Sequence, residues 1–162
     1  MKLQITFFQQ DTDYTCGPTS LQMLFDYFGL FKSEDDLAHI LKTSSEHGTF
    51  HRKLIDGARK NGFYCYVNNN STIHEISHYL KLGLPVIVHF TETSSNDTHY
   101  SIVYGVTASS VLLNDPWNGK IHLSRKNFMN RWHGCVKNVC NDGWMMVISK
   151  DNFNLGRQYL PY

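Results

Sequence analysis

The spacing of apolar residues changes part-way along the chain, and that change limits the architectures open to it. Leu21, Leu24, Phe25 and Phe28 fall at i, i+3, i+4 and i+7, one face of a helix from about Cys16 to Phe28, with Pro18 in its first turn and Gly29 as its stop. Ser33 opens a second helix, with Asp36 three residues on as an imperfect capping box and Leu37, Ile40 and Leu41 as its buried stripe. A third covers Thr49 to Lys60, packing Phe50, Leu54 and Ala58, and ends near Gly62. Beyond it the aromatic and β-branched run from Phe63 to Val67 reads as a strand, and Thr72 to Lys81 as one more helix. Strands then dominate: Pro85 to Phe90, His99 to Val106, Val111 to Asp115, and Lys120 to Leu123 after the Asn118-Gly119 turn. Ser124 caps a short helix presenting Phe128 and Trp132, and Trp144 to Ser149 is a last strand. Helices first and strands afterwards predict an α+β fold, with N-terminal helices packed on a C-terminal antiparallel sheet.

A chain of 162 residues, 41% hydrophobic and 14% aromatic, can bury a core without staples, so one domain over 1–150 is expected, followed by a dispensable polar tail at 151–162. Fifteen Lys and Arg against fourteen Asp and Glu, with no long run of either sign, exclude an electrostatic footprint for nucleic acid. The first ten residues lack the apolar core of a signal peptide, and no window approaches the roughly eighteen apolar residues of a membrane span. The sequence as written is therefore expected to be soluble and cytoplasmic, with a leaderless route left for secretion. Cys16, Cys65, Cys135 and Cys140 are spread thinly and read as reduced thiols; Cys135 and Cys140 could be bridged, or join His133 at a metal, but no fourth ligand is evident.

Cys16 stands at the start of the first helix, where unpaired N–H groups and the positive dipole end favour thiolate over thiol. Most buried cysteines are inert, so the thiol needs a base. His99 opens one strand and Asp115 ends the next; if the two strands pair through the turn near Ala108 and Ser109, their outer ends meet and the carboxylate can orient the imidazole. Taken singly, a strand-end histidine is an ordinary surface residue and Asp115-Pro116 an ordinary turn. Gln10 lies in the aperiodic polar stretch before Cys16, where a side-chain amide can donate to an oxyanion alongside the Cys16 N–H; Gln9 competes for that role.

The ordered set Gln10-x5-Cys16-Gly17-Pro18, Tyr27-Phe28-Gly29, Leu80-x2-Gly83-x-Pro85-Val86-Ile87-Val88, His99-Tyr100-Ser101-Ile102-Val103-Tyr104-Gly105 and Asn114-Asp115-Pro116-x2-Gly119 resembles cysteine peptidase family thirty-nine. These are the bacteriocin-leader peptidases at the front of ABC transporters and their stand-alone relatives. The resemblance runs from about Gln10 to Ile148 and includes Phe128-x3-Trp132. It implies a papain-like fold, Cys16 as nucleophile, His99 as general base, Asp115 as the orienting residue and Gln10 as oxyanion donor, with a thioester intermediate and no metal or organic cofactor. The implied partner is a peptide or protein substrate. Transporter members cleave after a double glycine and usually carry Asp before the nucleophile, where this chain has Thr15. That departure bears on the substrate, not on the chemistry.

His74-Glu75-Ile76-Ser77-His78 satisfies H-E-x-x-H, the zinc-peptidase helix motif, but Lys81 and Leu84 stand where the extended form needs Gly and His, and Glu92 lies close for a distant glutamate ligand. The plainer reading turns Ile73, Ile76 and Leu80 to the core and His74 and His78 to water. His47 and His51 read likewise as an exposed helix edge, and Trp132 and Trp144 as core. Alternatives to a peptidase are a deamidase, amidase or acyltransferase using the same triad, including a delivered effector, and a non-catalytic binding module of the same fold.

Overall fold

Each part of the chain folds with the period its sequence carries. The computed structural model describes residues 1–162. In chain order its elements are α1 (Cys16–Tyr27), α2 (Glu34–Ile40), α3 (His51–Lys60), β1 (Tyr64–Asn68), α4 (Ile73–Lys81), β2 (Val86–Thr91), β3 (Thr98–Val106), β4 (Ser110–Asp115), β5 (Gly119–Ser124), α5 (Arg125–His133), the two-residue strands β6 (Cys135–Val136) and β7 (Val139–Cys140), and β8 (Met145–Ser149). Six strands form one sheet in the order β1-β8-β2-β3-β4-β5, every neighbouring pair antiparallel.

The central strands are buried on both faces, so consecutive residues serve different cores. Ile87, Ile102 and Met146 pack under α1 to α3 with Leu21, Leu24 and Leu54. Their neighbours Val88, Val103 and Val147 pack on the opposite face with Ile76, Leu80, Phe128 and Trp132 of α4 and α5. The expected N-terminal helical layer is thus joined by a second one. No helix is long and apolar enough to cross a membrane.

Local signals act where they were read. Ser33 Oγ accepts from the Asp36 N–H, Ser124 Oγ from the Asn127 N–H, and Thr72 and Glu75 complete a reciprocal capping box on α4. Two apolar residues are misplaced by pattern alone. Ile40, the last residue of α2, is 38% exposed at the edge of the face that Leu37 and Leu41 bury, and Phe50, 56% exposed, precedes α3 in extended backbone and so leaves its helical face.

One further expectation is corrected. Cys135 and Cys140 are joined by a disulfide, not reduced. Lys137 and Asn138 both adopt positive φ, the geometry of a tight two-residue hairpin turn, and this sets the cysteines directly opposite each other on β6 and β7. In the tail, residues 151–162, Tyr159 pairs with β1. Cys65 and Tyr159 exchange backbone hydrogen bonds of 2.9 and 2.8 Å, which covers part of the β1 edge, and Arg59 lies 3.9 Å over the Tyr162 ring.

Trp132 ties α5 to the sheet: it is fully buried, packs on Phe128 and donates its Nε1–H to the Trp144 carbonyl at 2.9 Å. Trp132→Ala is expected to lower the free energy of unfolding by about 3–5 kcal/mol, read as a lower urea midpoint, because it leaves a cavity and removes a buried hydrogen bond.

Candidate active site

The N-terminus of α1 carries Cys16 and is left without a side-chain cap or an acidic first turn. Thr15, at the capping position, turns its hydroxyl to that of Thr12 at 2.9 Å instead. The backbone N–H groups of the first turn therefore remain available beside the sulfur. Buried Glu34, at the start of α2, fastens the preceding loop by accepting from the Asp11 N–H at 3.1 Å and from the Thr19 hydroxyl at 2.9 Å. Gln10 anchors the same loop to the β4–β5 connection through its N–H to the Pro116 carbonyl at 3.0 Å.

Gly17 is required by close packing. A Cβ there would lie 2.6 Å from Thr49 Oγ1 and 2.7 Å from its Cβ, so only glycine lets the loop before α3 approach the start of α1. Tyr100 supports that loop from the sheet, its hydroxyl donating to the Thr49 carbonyl at 2.9 Å and lying 2.6 Å from His51 Nδ1. His51 is not an exposed helix edge: its ring stacks on Trp144 at 4.0 Å and meets His89 at 4.8 Å. Burial lowers the pKa of both histidines, His89 to about 3 with the neighbouring His51 and His99 adding to the effect, and burial together with the Cys16 sulfur raises that of Tyr100. The layer beneath the α1 terminus thus stays uncharged at neutral pH.

The register of β3 against β4 decides the second half of the site. Ile102 pairs with Asn114, which puts Asp115 opposite Ser101 and on the same face as His99, two residues further along β3. His99 donates its Nε2–H to Asp115 Oδ1 at 2.9 Å, with the imidazole 6% exposed and the carboxylate fully buried. The same oxygen accepts the backbone N–H groups of Trp117 and Asn118, each at 2.9 Å, while Asp115 Oδ2 has no partner. Cys16 lines the same cleft as the ring. Burial works to lower the His99 pKa, but the bond to Asp115 and the nearby Cys16 sulfur outweigh it and raise the ring to about 10. The protonated ring is favoured in the folded state, so its contribution to stability is complete below the unfolded value of roughly 6.5 and is lost as pH rises through about 10.

Cys16, His99 and Gln10 line one cleft of about 650 Å³, with Trp117 and His47 among its other walls. Gln10 is buried and donates one Nε2–H to the Thr12 carbonyl at 2.6 Å, keeping the second N–H free; its Oε1 has no partner. Gln9 is exposed, donates to the Trp117 carbonyl at 3.0 Å and does not line the cleft. A thiol sharing a cleft with an imidazole that a carboxylate holds through one nitrogen, beside free N–H donors, is an arrangement that can form and resolve an acyl-thioester.

Sequence reasoning missed Glu92 as part of this region. It is 2% exposed and accepts from both the backbone and hydroxyl of Ser94 and of Ser95, and from Asn118 Nδ2 at 2.8 Å. Burial opposes its charge, yet these bonds hold the carboxyl far below the usual range. Asn118, legible only as a turn residue, also reaches Asp115 Oδ1 at 3.4 Å and so joins the two carboxylates.

The zinc-motif residues lie elsewhere. His74 and His78 are exposed on α4, Glu75 is engaged by Thr72 and by Asn68 at 2.9 Å, and no third His, Cys, Asp or Glu joins them as a ligand group. His133 is bonded to the Ser71 carbonyl at 2.5 Å and its two cysteine neighbours to each other.

With this geometry established, three solved structures are similar to the chain. The peptidase domain of Streptococcus ComA, a bi-functional ABC transporter involved in quorum sensing, has a TM-score of 0.75 at 22% identity, covering 91% of this chain and 100% of that one. A double-glycine-motif protease from an AMS/PCAT transporter, solved with its leader peptide, has a TM-score of 0.69 at 17% identity over 91% of this chain and 92% of that one. A C39-like peptidase from Bacillus anthracis has a TM-score of 0.72 at 20% identity over 93% of this chain and 98% of that one. These likenesses show the papain-like fold. No curated protein matches the chain in sequence. The Peptidase C39 family profile matches residues 4–139, most of the chain, and the protein accordingly belongs to the Peptidase C39 family and is a cysteine peptidase.

Proposed function

We propose that the protein hydrolyses a peptide bond with Cys16 as nucleophile, His99 as general base and acid, Asp115 as the positioning carboxylate and Gln10 as an oxyanion donor. The observation that carries the proposal is the cleft that Cys16 and His99 line together, with the His99 ring held from behind by Asp115 at 2.9 Å. His99 takes the thiol proton, and the thiolate attacks the carbonyl carbon to give a tetrahedral oxyanion. The Cys16 backbone N–H and the free Gln10 N–H are the donors for that charge. Collapse expels the amine, which leaves with the proton returned by His99, and forms a thioester; water, deprotonated by His99, then releases the acid and restores the thiol. The substrate is a peptide or protein cleaved at small residues such as Gly-Gly. That preference draws on the related double-glycine protease crystallised with its leader peptide.

Cys16→Ala is expected to abolish cleavage of a Gly-Gly peptide, and iodoacetamide at neutral pH to label Cys16 ahead of buried Cys65. If mass spectrometry finds Cys65 modified first, the nucleophile assignment fails. Gln10→Ala is expected to lower kcat by about 10²-fold with little change in KM, the cost of one oxyanion donor. Because the leaving amine needs a proton from His99, kcat should fall as pH rises toward about 10. Removing the carboxylate takes away the principal support for the protonated ring, so Asp115→Asn should move that alkaline limb to lower pH. An unmoved limb would assign it to another group.

A further inference from the structure

Outside the buried His99 ring, the charged side chains of the cleft around Cys16 are all acidic. Asp13, Glu46, Glu92 and Asp97 line it and no Lys or Arg does, although the whole chain carries fifteen basic and fourteen acidic residues. The four carboxylates arrive from three separate segments: Asp13 from the loop before α1, Glu46 from the turn closed by the Ser44–Gly48 bridge, and Glu92 and Asp97 from the β2–β3 connection. None of them is in an ion pair. Asp13, Glu46 and Asp97 are exposed, whereas Glu92 is buried and held by Ser94, Ser95 and Asn118. Arg131, the nearest basic group on this connection, spends its guanidinium on the carbonyls of Thr91 and Glu92 and on Asn96.

Two other features of the cleft call for a donor-rich ligand. Gln10 is 5% exposed, and its Oε1 is a buried acceptor with no donor from the chain, a costly state that a ligand N–H would relieve. Trp117, 47% exposed on the rim, presents an indole to the same space, a surface suited to an ammonium or guanidinium.

We propose that the substrate is a cationic peptide, with Lys or Arg within a few residues of the scissile bond, seated by Asp13, Glu46 and Asp97. This rests on the peptidase reading of the cleft and adds the charge of the chain that enters it. The exposed carboxylates draw basic segments inward through the focused field of a concave site, and exclude acidic ones. Glu92, locked behind its hydrogen bonds, contributes fixed negative potential without swinging into the substrate.

Internally quenched peptides centred on Gly-Gly and flanked by Lys, Gln or Glu test this, both for cleavage by the native protein and for binding to Cys16→Ala by fluorescence anisotropy. Lys-flanked peptides are expected to exceed Glu-flanked ones by about tenfold in kcat/KM at low ionic strength, with the ratio shrinking in roughly 0.5 M salt. The double variant Glu46→Gln, Asp97→Asn should reduce the ratio by about threefold or more. Binding to Cys16→Ala should follow the same order. If Cys16→Ala binds Lys-flanked peptides no better than Glu-flanked ones, or binds neither, the cationic-substrate proposal is overturned whatever the native protein cleaves. A Lys preference in binding without any cleavage would instead leave this proposal standing and sink the hydrolytic mechanism.

Discussion

The 2.9 Å bond between His99 and Asp115 depends on strand register more than on either residue, and much of the molecule serves to hold that register. Asp115 reaches the imidazole because Asn114 pairs with Ile102, and a slip of one residue would turn the carboxylate to the opposite face. The β4–β5 pairing runs without a break from Ser110 to Asp115 and ends in a loop whose Trp117 and Asn118 N–H groups close back on the carboxylate. At the far end of β3 the register shifts between Val103 and Gly105, beside the N-terminal residues that pair with the strand. That irregularity is kept away from the site.

Cys16 comes from the other side of the sheet and needs its own support. Helix α1 is pressed against the α3 approach at Gly17, Thr49 is held by Tyr100, and Glu34 fastens the loop that carries Gln10. The polar groups beneath the helix terminus are neutral, so Cys16, His99 and Asp115 sit against a buried layer that carries no charge of its own. Such surroundings strengthen hydrogen bonds to developing charge, and they explain why burial and partners act against each other on His99.

Electrostatics divides the cleft into two zones. Beneath the reacting atoms, His51, His89 and Tyr100 hold no charge, while around the opening the carboxylates of Asp13, Glu46, Glu92 and Asp97 accumulate without cationic partners. The proposed chemistry and the proposed selection thus lie on different segments: the first on helix and strand ends, the second on loops. Loops change in sequence at little cost to the core, which allows one peptidase scaffold to take different peptides.

Periodicity, caps and turn residues determined the helices, the strands and the antiparallel pairing, because each of these is encoded over a few neighbouring positions; Cys16, His99, Asp115 and Gln10 stood out only through the ordered set of motifs that resembles the family. Short-range pattern failed where the deciding contact is distant. Ile40 and Phe50 look like core by spacing but face water, and His51 looks exposed but is covered by Trp144, which lies ninety-three positions away in the chain. Glu92 could not be distinguished from a solvated loop acid until Asn118 and the serines closed around it, and the Cys135–Cys140 bridge needed the backbone of a two-residue turn. Sequence alone determined which chemical groups are present and which local elements carry them. The tertiary structure decided their burial, protonation and shared cleft, since these depend on what the rest of the chain brings within a few ångströms.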